Sequence, residues 1–214
     1  MSKSVTQALV FDLGKVLVDF SMEKACAQIA QVSQQDPSAI RSFLFDEGHE
    51  LRFEAGSISF DELHHLFEQR FHVTVAATDL MKAASDIFTP IKENLWLVQQ
   101  LSERYRSQVP LVLLSNTNEI HWQHIEQQWN PSRWFDHLIL SFEVKSLKPS
   151  EDIYRHVTAL TGHSLDRCFF IDDVPANIDG ARRAGLQAEL YTHPEKLRSS
   201  LQQRGFFAEM ELQN

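Results

Sequence analysis

Apolar positions follow two rhythms along this chain. Unbroken apolar runs occur at Ala8-Leu9-Val10-Phe11, from Val109 to Leu114, from His137 to Leu140 and from Cys168 to Ile171. Such a run reads as a strand buried on both faces, the habit of parallel sheets. Gln187 to Tyr191 predicts a last strand. Between these runs the spacing is helical. Leu95, Val98, Leu101 and Tyr105 share one face, and helices are predicted from Glu119 to Gln128 and from Ser150 to Leu160. Two more are predicted from Ala176 to Ala184, closed by Gly185, and from Glu195 to Gln203. Strand and helix alternate, so the fold class is α/β, a parallel sheet with helices on both faces.

One interval departs from this alternation. Val16 to Val18 predicts a small extended flap, with Asp19 or Ser21 capping the helix after it. From there to Thr89 the apolar spacing is helical: Met22, Ala25, Cys26 and Ile29, then Leu63, Leu66, Phe67 and Phe71, then Leu80, Ala84 and Ile87. Asp36-Pro37-Ser38 opens another helix that runs through Ile40 and Phe43. Gly48 and Gly56 divide the interval, and Pro90 ends it. The expected division is a core of residues 1–18 and 89–214 with an all-helical insertion over 19–88.

Composition narrows the choice of partners. Among 214 residues, 43% are hydrophobic and 15 are Phe, enough to bury a core. A net charge of −9 with no basic stripe argues against nucleic acid and leaves a small anion open. Cys26 and Cys168 lie far apart and read as reduced, buried thiols. No signal pattern and no apolar run of membrane length is visible, so a cytoplasmic protein without a membrane partner is expected.

Chemistry-bearing residues gather where strands end. Asp12 closes the first run, followed at two places by Gly14, and open α/β sheets bind ligands at such an edge. Ser115-Asn116-Thr117-Asn118 comes after the second run, where free N–H groups suit an anion, although these residues also serve as ordinary helix caps. Lys148-Pro149 precedes a helix, where a cation opposes the helix dipole unless an anion is bound; a solvated lysine is the plainer alternative. Asp172-Asp173 comes after the fourth run, and adjacent buried carboxylates repel unless a cation such as Mg²⁺ joins them or one caps the helix at Pro175.

In this order the clusters resemble the four motifs of the haloacid dehalogenase superfamily. They read Phe11-Asp12-Leu13-Gly14-Lys15-Val16, Leu114-Ser115-Asn116, Lys148-Pro149, and Ile171-Asp172-Asp173 with Asn177 beyond it. The resemblance spans Leu9 to Leu190, implies that family's Rossmann-like fold, and matches the helical interval to the inserted cap. The last three motifs look like a subgroup of sugar-phosphate phosphatases. By that resemblance Asp12 is a nucleophile that accepts a phosphoryl group, and Ser115, Asn116 and Lys148 hold the phosphate. Lys148 also neutralises charge in catalysis. Mg²⁺ would be bound by Asp12, the Gly14 carbonyl and Asp173, with Asp172 supporting from behind or through water.

Gly14 departs from the pattern. Most phosphatases of the superfamily carry a second Asp there, as acid for the leaving oxygen and base for water. General acid catalysis contributes ~10²–10⁴-fold, so its loss would slow an enzyme without silencing it. Three readings are open: a Mg²⁺-dependent phosphatase for a small phosphorylated metabolite such as a hexose 1-phosphate, a non-catalytic phosphate-binding module, or a haloacid dehalogenase. The Asp172-Asp173 pair argues against the last, whose type members need no metal.

Other residues read as structural. His64-His65 and His121 with His124 lack a third ligand of matching spacing, and Trp96, Trp122, Trp129 and Trp134 fit packing roles. His49, Glu50, Arg52 and Glu54 form a candidate substrate-facing loop, with Arg52 able to meet a carboxylate or phosphate. Phe206 and Phe207 would dock on the core or on a partner.

Overall fold

The computed structural model describes residues 6–207. Strand β1 (Ala8–Phe11) leads into a tight turn in which Leu17 and Val18 both donate to the Leu13 carbonyl, and the chain returns as β2 (Val18–Phe20). Five helices come next: α1 (Met22–Ser33), α2 (Pro37–Arg41), α3 (His49–Glu54), α4 (Phe60–Phe71) and α5 (Ala77–Ser85). Strand β3 (Phe88–Pro90) pairs antiparallel with β2, so the chain enters and leaves the helical region through one two-stranded ribbon. The remainder alternates: α6 (Lys92–Tyr105), β4 (Leu111–Ser115), α7 (Glu119–Trp129), β5 (His137–Leu140) and a single turn, α8 (Ser141–Val144). Then come α9 (Glu151–Thr161), β6 (Cys168–Asp172), α10 (Pro175–Ala184), β7 (Gln187–Leu190) and α11 (Pro194–Gln203).

The five long-range strands form a parallel sheet in the order β5-β4-β1-β6-β7. Pleating sends alternate residues to opposite faces. Leu9, Phe11, Leu111, Leu113, Phe169 and Ile171 pack with α6 and α11, whereas Ala8, Val10, Val112, Leu114 and Phe170 pack with α9 and α10. The chain moves from β1 to β4 and β5 on one side, then crosses to β6 on the other, so β1 lies at the switch point. Its carboxyl end is where such sheets open a crevice.

The helical region has its own apolar cluster, including Ile29, Ile40, Phe43, Phe53, Phe67 and Leu80. Ser21 caps α1 by accepting from the Lys24 N–H, and Asp36 caps α2. The helix opened by Pro37 does not run evenly through Phe43; Ser42–Asp46 widens into a π-type turn. Phe88–Pro90 is likewise a strand where the apolar spacing suggests a helix end. Three residues are too few to show a period, and only the flap they pair with makes them extended. Phe206 and Phe207 dock on the core, edge-on to Tyr105, whose hydroxyl accepts from the Phe207 N–H. Among the described residues no helix is long and apolar enough to cross a membrane.

Gly56 sits where helical region and core touch. A Cβ there would lie 2.2 Å from the Phe142 carbonyl oxygen, and its φ of +59° is also one that side chains resist. Lys145 donates to the Gly56 carbonyl, Ser141 to that of Glu54, and Glu119 accepts from the Phe60 N–H. These three bonds tie the loop after α3 to the core beside β5.

Candidate active site

Three carboxylates meet at the carboxyl ends of β1 and β6. One oxygen from each of Asp12, Asp172 and Asp173 lies within 4.8 Å of the others. Lys148 is buried among them, its Nζ 2.7 Å from Asp12 Oδ1 and 2.7 Å from Asp172 Oδ2. The conflict between a cation and the α9 dipole is thus answered by carboxylates of the chain itself. Asn116 holds the lysine's backbone, donating to its carbonyl at 3.1 Å and accepting from its N–H at 2.8 Å. Gly180 lets α10 approach, since a Cβ there would meet the Pro149 carbonyl at 2.6 Å.

The two adjacent acids differ in what they can still bind. Asp172 is 0% exposed and also accepts from the Val174 N–H and from Asn177 Nδ2. Tyr154 fixes the Asn177 backbone through its hydroxyl. Asp173 is half-buried, and its carboxylate accepts no side-chain or backbone hydrogen bond among the described residues. Asp12 receives both the Leu13 N–H and Lys148 on Oδ1, and among the described residues nothing donates to Oδ2. Burial pushes Asp12 up to about 7 despite Lys148, with the Asp172 charge adding to the rise. Burial and Asp172 also raise Asp173. Three carboxylates against one ammonium leave an excess of negative charge, and this all-oxygen set suits a hard divalent cation.

A cavity of about 50 Å³ opens beside this cluster, lined by Gly14, Ser115, Asn116 and Thr117 from the core. Phe20 and Phe88 of the ribbon close one side, and Glu50, Glu54 and His121 also face it. Asn116 bonds to Lys148, and Lys148 to Asp12 and Asp172, so the four strand-end clusters meet; of their residues Gly14, Ser115, Asn116 and Thr117 line the cavity. Gly14 does not use the freedom of glycine: its φ is not positive, and an added Cβ would meet only the Phe20 ring edge, at 2.9 Å. The left-handed residue in this turn is Lys15, at φ 56°.

The stretch from His49 to Glu54 is a helix rather than a loop, and of the four groups expected to face a substrate only Glu50 and Glu54 line the cavity. Glu50, Phe53 and Glu54 share its inner face at positions i, i+3 and i+4, while Arg52 is exposed and reaches His49. That spacing was the available signal: two acids on the stripe of a buried Phe. Burial and the Glu54 charge push Glu50 up to about 8, against a hydrogen bond from Asn118, and burial pushes Glu54 up to about 7, against Lys148. His121 is buried too, down to about 4, its Nδ1 facing Asn118 and its Nε2 the Ala84 carbonyl. It is a packed, neutral imidazole rather than a metal ligand.

A carboxyl whose folded pKa exceeds its unfolded one loses stabilisation as pH rises through the interval between them. Glu50 rises from 4.5 to about 8, so its cost builds over that window. Glu50→Gln should therefore stabilise the protein at alkaline pH by ~1–3 kcal/mol and hardly at all near pH 5, read by urea unfolding at both values.

The comparisons with known proteins agree with this geometry. Residues 6–185 match the family model described as haloacid dehalogenase-like hydrolase. The chain belongs to this family. As such a hydrolase it is an enzyme with the family's Rossmann-like core. A HAD family enzyme of Bacteroides thetaiotaomicron, solved in complex with magnesium and inorganic phosphate, is 25% identical, with a TM-score of 0.77 over 87% of this chain and 94% of that one. A HAD-like hydrolase from Porphyromonas gingivalis is 22% identical, with a TM-score of 0.78 over 97% of this chain and 100% of that one. The L-2-haloacid dehalogenase of Xanthobacter autotrophicus shares the fold at 16% identity and a TM-score of 0.61, covering 92% of this chain and 82% of the other. No curated protein matches.

Proposed function

We propose that this hydrolase is a Mg²⁺-dependent phosphatase that cleaves a small phosphomonoester through a phosphorylated Asp12. The observation that carries the reading is the free side of Asp12, whose Oδ2 accepts nothing among the described residues while its other oxygen is held by Lys148 and the Leu13 N–H. Asp12, Asp173 and the Gly14 carbonyl are the groups that would hold the ion, with Asp172 fixing Lys148 from behind. When bound, the ion supplies charge that offsets repulsion between a carboxylate and a phosphate dianion.

The chain's own residues divide the remaining work. Lys148 turns Asp12 toward the cavity and stands ready for the phosphoryl oxygens. Ser115 offers a hydroxyl at the end of β4, and Asn116 keeps Lys148 in register. A covalent intermediate on Asp12 splits hydrolysis into two easier steps. Residues 19–88 act as the cap in this reading, placing Glu50 and Glu54 over the phosphate end. The cavity of about 50 Å³ holds a few waters. A hexose 1-phosphate is the favoured substrate class, because its hemiacetal oxygen leaves more readily than an ordinary alkoxide.

The test is hydrolysis of 4-nitrophenyl phosphate with different ions. Activity should require Mg²⁺, vanish in excess chelator and return on its replacement. Ca²⁺ should occupy the site yet support a rate at least ~10-fold lower, because its looser coordination disturbs in-line attack. Full turnover in chelator would sink the metal-dependent reading. The absence of a carboxyl at Gly14 favours one other reading, a phosphate-binding module without turnover, which predicts phosphate and Mg²⁺ binding but no hydrolysis.

A further inference from the structure

We propose that Glu54, carried by the helical region, is the proton donor and acceptor that position 14 of this chain lacks. The inference rests on the phosphatase reading above and assigns its missing acid. Glu50, Glu54 and His121 are the ionisable side chains that face the space beside Gly14 and Ser115.

One of the three is committed, and a second is partly held. His121 has its Nδ1 toward Asn118 and its Nε2 toward the Ala84 carbonyl, so neither nitrogen faces a ligand with a free proton or lone pair. Glu50 accepts from Asn118 Nδ2 at 3.0 Å on Oε1, which ties it to α7, whereas its Oε2 accepts nothing among the described residues. The Glu54 carboxyl takes part in no hydrogen bond among the described residues, although its backbone is firmly held. The Ser141 hydroxyl donates to the Glu54 carbonyl at 2.6 Å and accepts from the Thr117 N–H at 2.9 Å. One core side chain thus ties Glu54 to the loop that begins with Ser115 and Asn116. Asp19, the other acid of the loop after β1, is exposed, paired with Lys15 and held below the usual carboxylate range by it.

The environment gives Glu54 a usable proton. The groups that face it are Glu50 on its own helix and Lys148 from the core, with Asn118 and His121 of the α7 segment around Glu50. Burial lifts Glu54 to about 7 and Glu50 to about 8, so near neutrality the pair shares protons as one unit. An acid that titrates near working pH serves well both as donor and as acceptor.

The sequence of bonds closes without any further reagent than water. As an Asp12 carboxylate oxygen bonds to phosphorus, the bond from phosphorus to the ester oxygen breaks. The departing oxygen keeps that electron pair and takes the proton of Glu54, leaving as an alcohol. A water oxygen then bonds to phosphorus, its proton passes to the Glu54 carboxylate, and the bond to Asp12 breaks. Phosphate leaves with Asp12 and Glu54 in their starting states.

The test compares wild type and Glu54→Gln with two aryl esters and Mg²⁺, in single-turnover and burst measurements. 4-Nitrophenyl phosphate has a leaving group that needs no acid, whereas phenyl phosphate has one that does. Gln matches Glu in size, and no described side-chain bond depends on the Glu54 charge. Wild type should cleave both esters at similar single-turnover rates. Glu54→Gln should slow phenyl phosphate ~10²-fold or more while changing 4-nitrophenyl phosphate only a few-fold. It should also give a burst of nitrophenol and accumulate acid-stable phosphoprotein, because the water step lacks its base. Equal slowing of both esters, or none of either, would overturn the assignment while leaving the phosphatase reading intact. A wild type that cleaves neither ester would overturn both.

Discussion

Asp12→Asn is expected to give a folded protein that releases phosphate from 4-nitrophenyl phosphate at least ~10³-fold more slowly than wild type, if at all. The fold should persist because Asn retains an oxygen for the Lys148 ammonium and the Leu13 N–H that now meet Oδ1. Lys148 also keeps Asp172, so the ammonium is not stranded. Asp12 is one of three carboxylates crowded within 4.8 Å, and burial already works against its charge, so the substitution should not lower unfolding midpoints in the absence of metal. Unfolding curves together with phosphate release check both halves. A variant with ordinary turnover would remove Asp12 from the chemistry, whatever the site resembles.

Lys148→Met should lose activity and stability together. Its side chain is 1% exposed and pairs with two carboxylates at 2.7 Å. Burial opposes the ammonium, but Asp12 and Asp172 outweigh that and hold it above the usual lysine value. Its own titration therefore removes stabilisation only as pH rises above the normal lysine value. Removing one partner of a buried pair costs ~3–5 kcal/mol, because the opposite charge is left without company. Here that charge is an acid, so the loss depends on pH. Asp12 in the folded wild type already titrates at about 7, and without the ammonium its carboxyl rises further. Below that pH it takes up a proton and much of the penalty disappears. Urea unfolding should show the full deficit at about pH 8 and a clearly smaller one at about pH 5.5. The same deficit at both values would mean that lost packing, rather than stranded charge, is what Lys148 prevents. In this view one lysine both orients Asp12 and makes three neighbouring carboxylates tolerable in a folded chain.

The parallel core was legible because its three central strands, β1, β4 and β6, are apolar up to their carboxyl ends. Leu9 and Phe11 serve one face of the sheet while Ala8 and Val10 serve the other, so no position within β1 could be polar. That requirement made Asp12, Ser115 and Asp172 conspicuous where each run stops. The four strand-end motifs were legible for the same reason, and the sequence order of the strands brings them to one edge. The helical character of residues 22–85 was equally visible in its spacing, apart from the widened turn at Ser42–Asp46.

What the chain by itself determined was thus the sheet, the helices and the identity of the residues at the strand ends. Three features were decided only in the folded molecule. The β2–β3 ribbon exists because residues 68 or more positions apart in sequence pair, and its short strands carry no period of their own. Asp172 and Asp173 are neighbours of the same type, yet one is enclosed by Lys148, Asn177 and Val174 while the other is only half-buried. Glu50 and Glu54 stood in a candidate substrate-facing loop beside His49 and Arg52, but only the docking of α3 through Ser141 turns those two acids inward and leaves Arg52 outside. A side chain's periodicity reports which face it occupies, but charge state and direction depend on what the opposite element brings, and that is a property of tertiary packing alone.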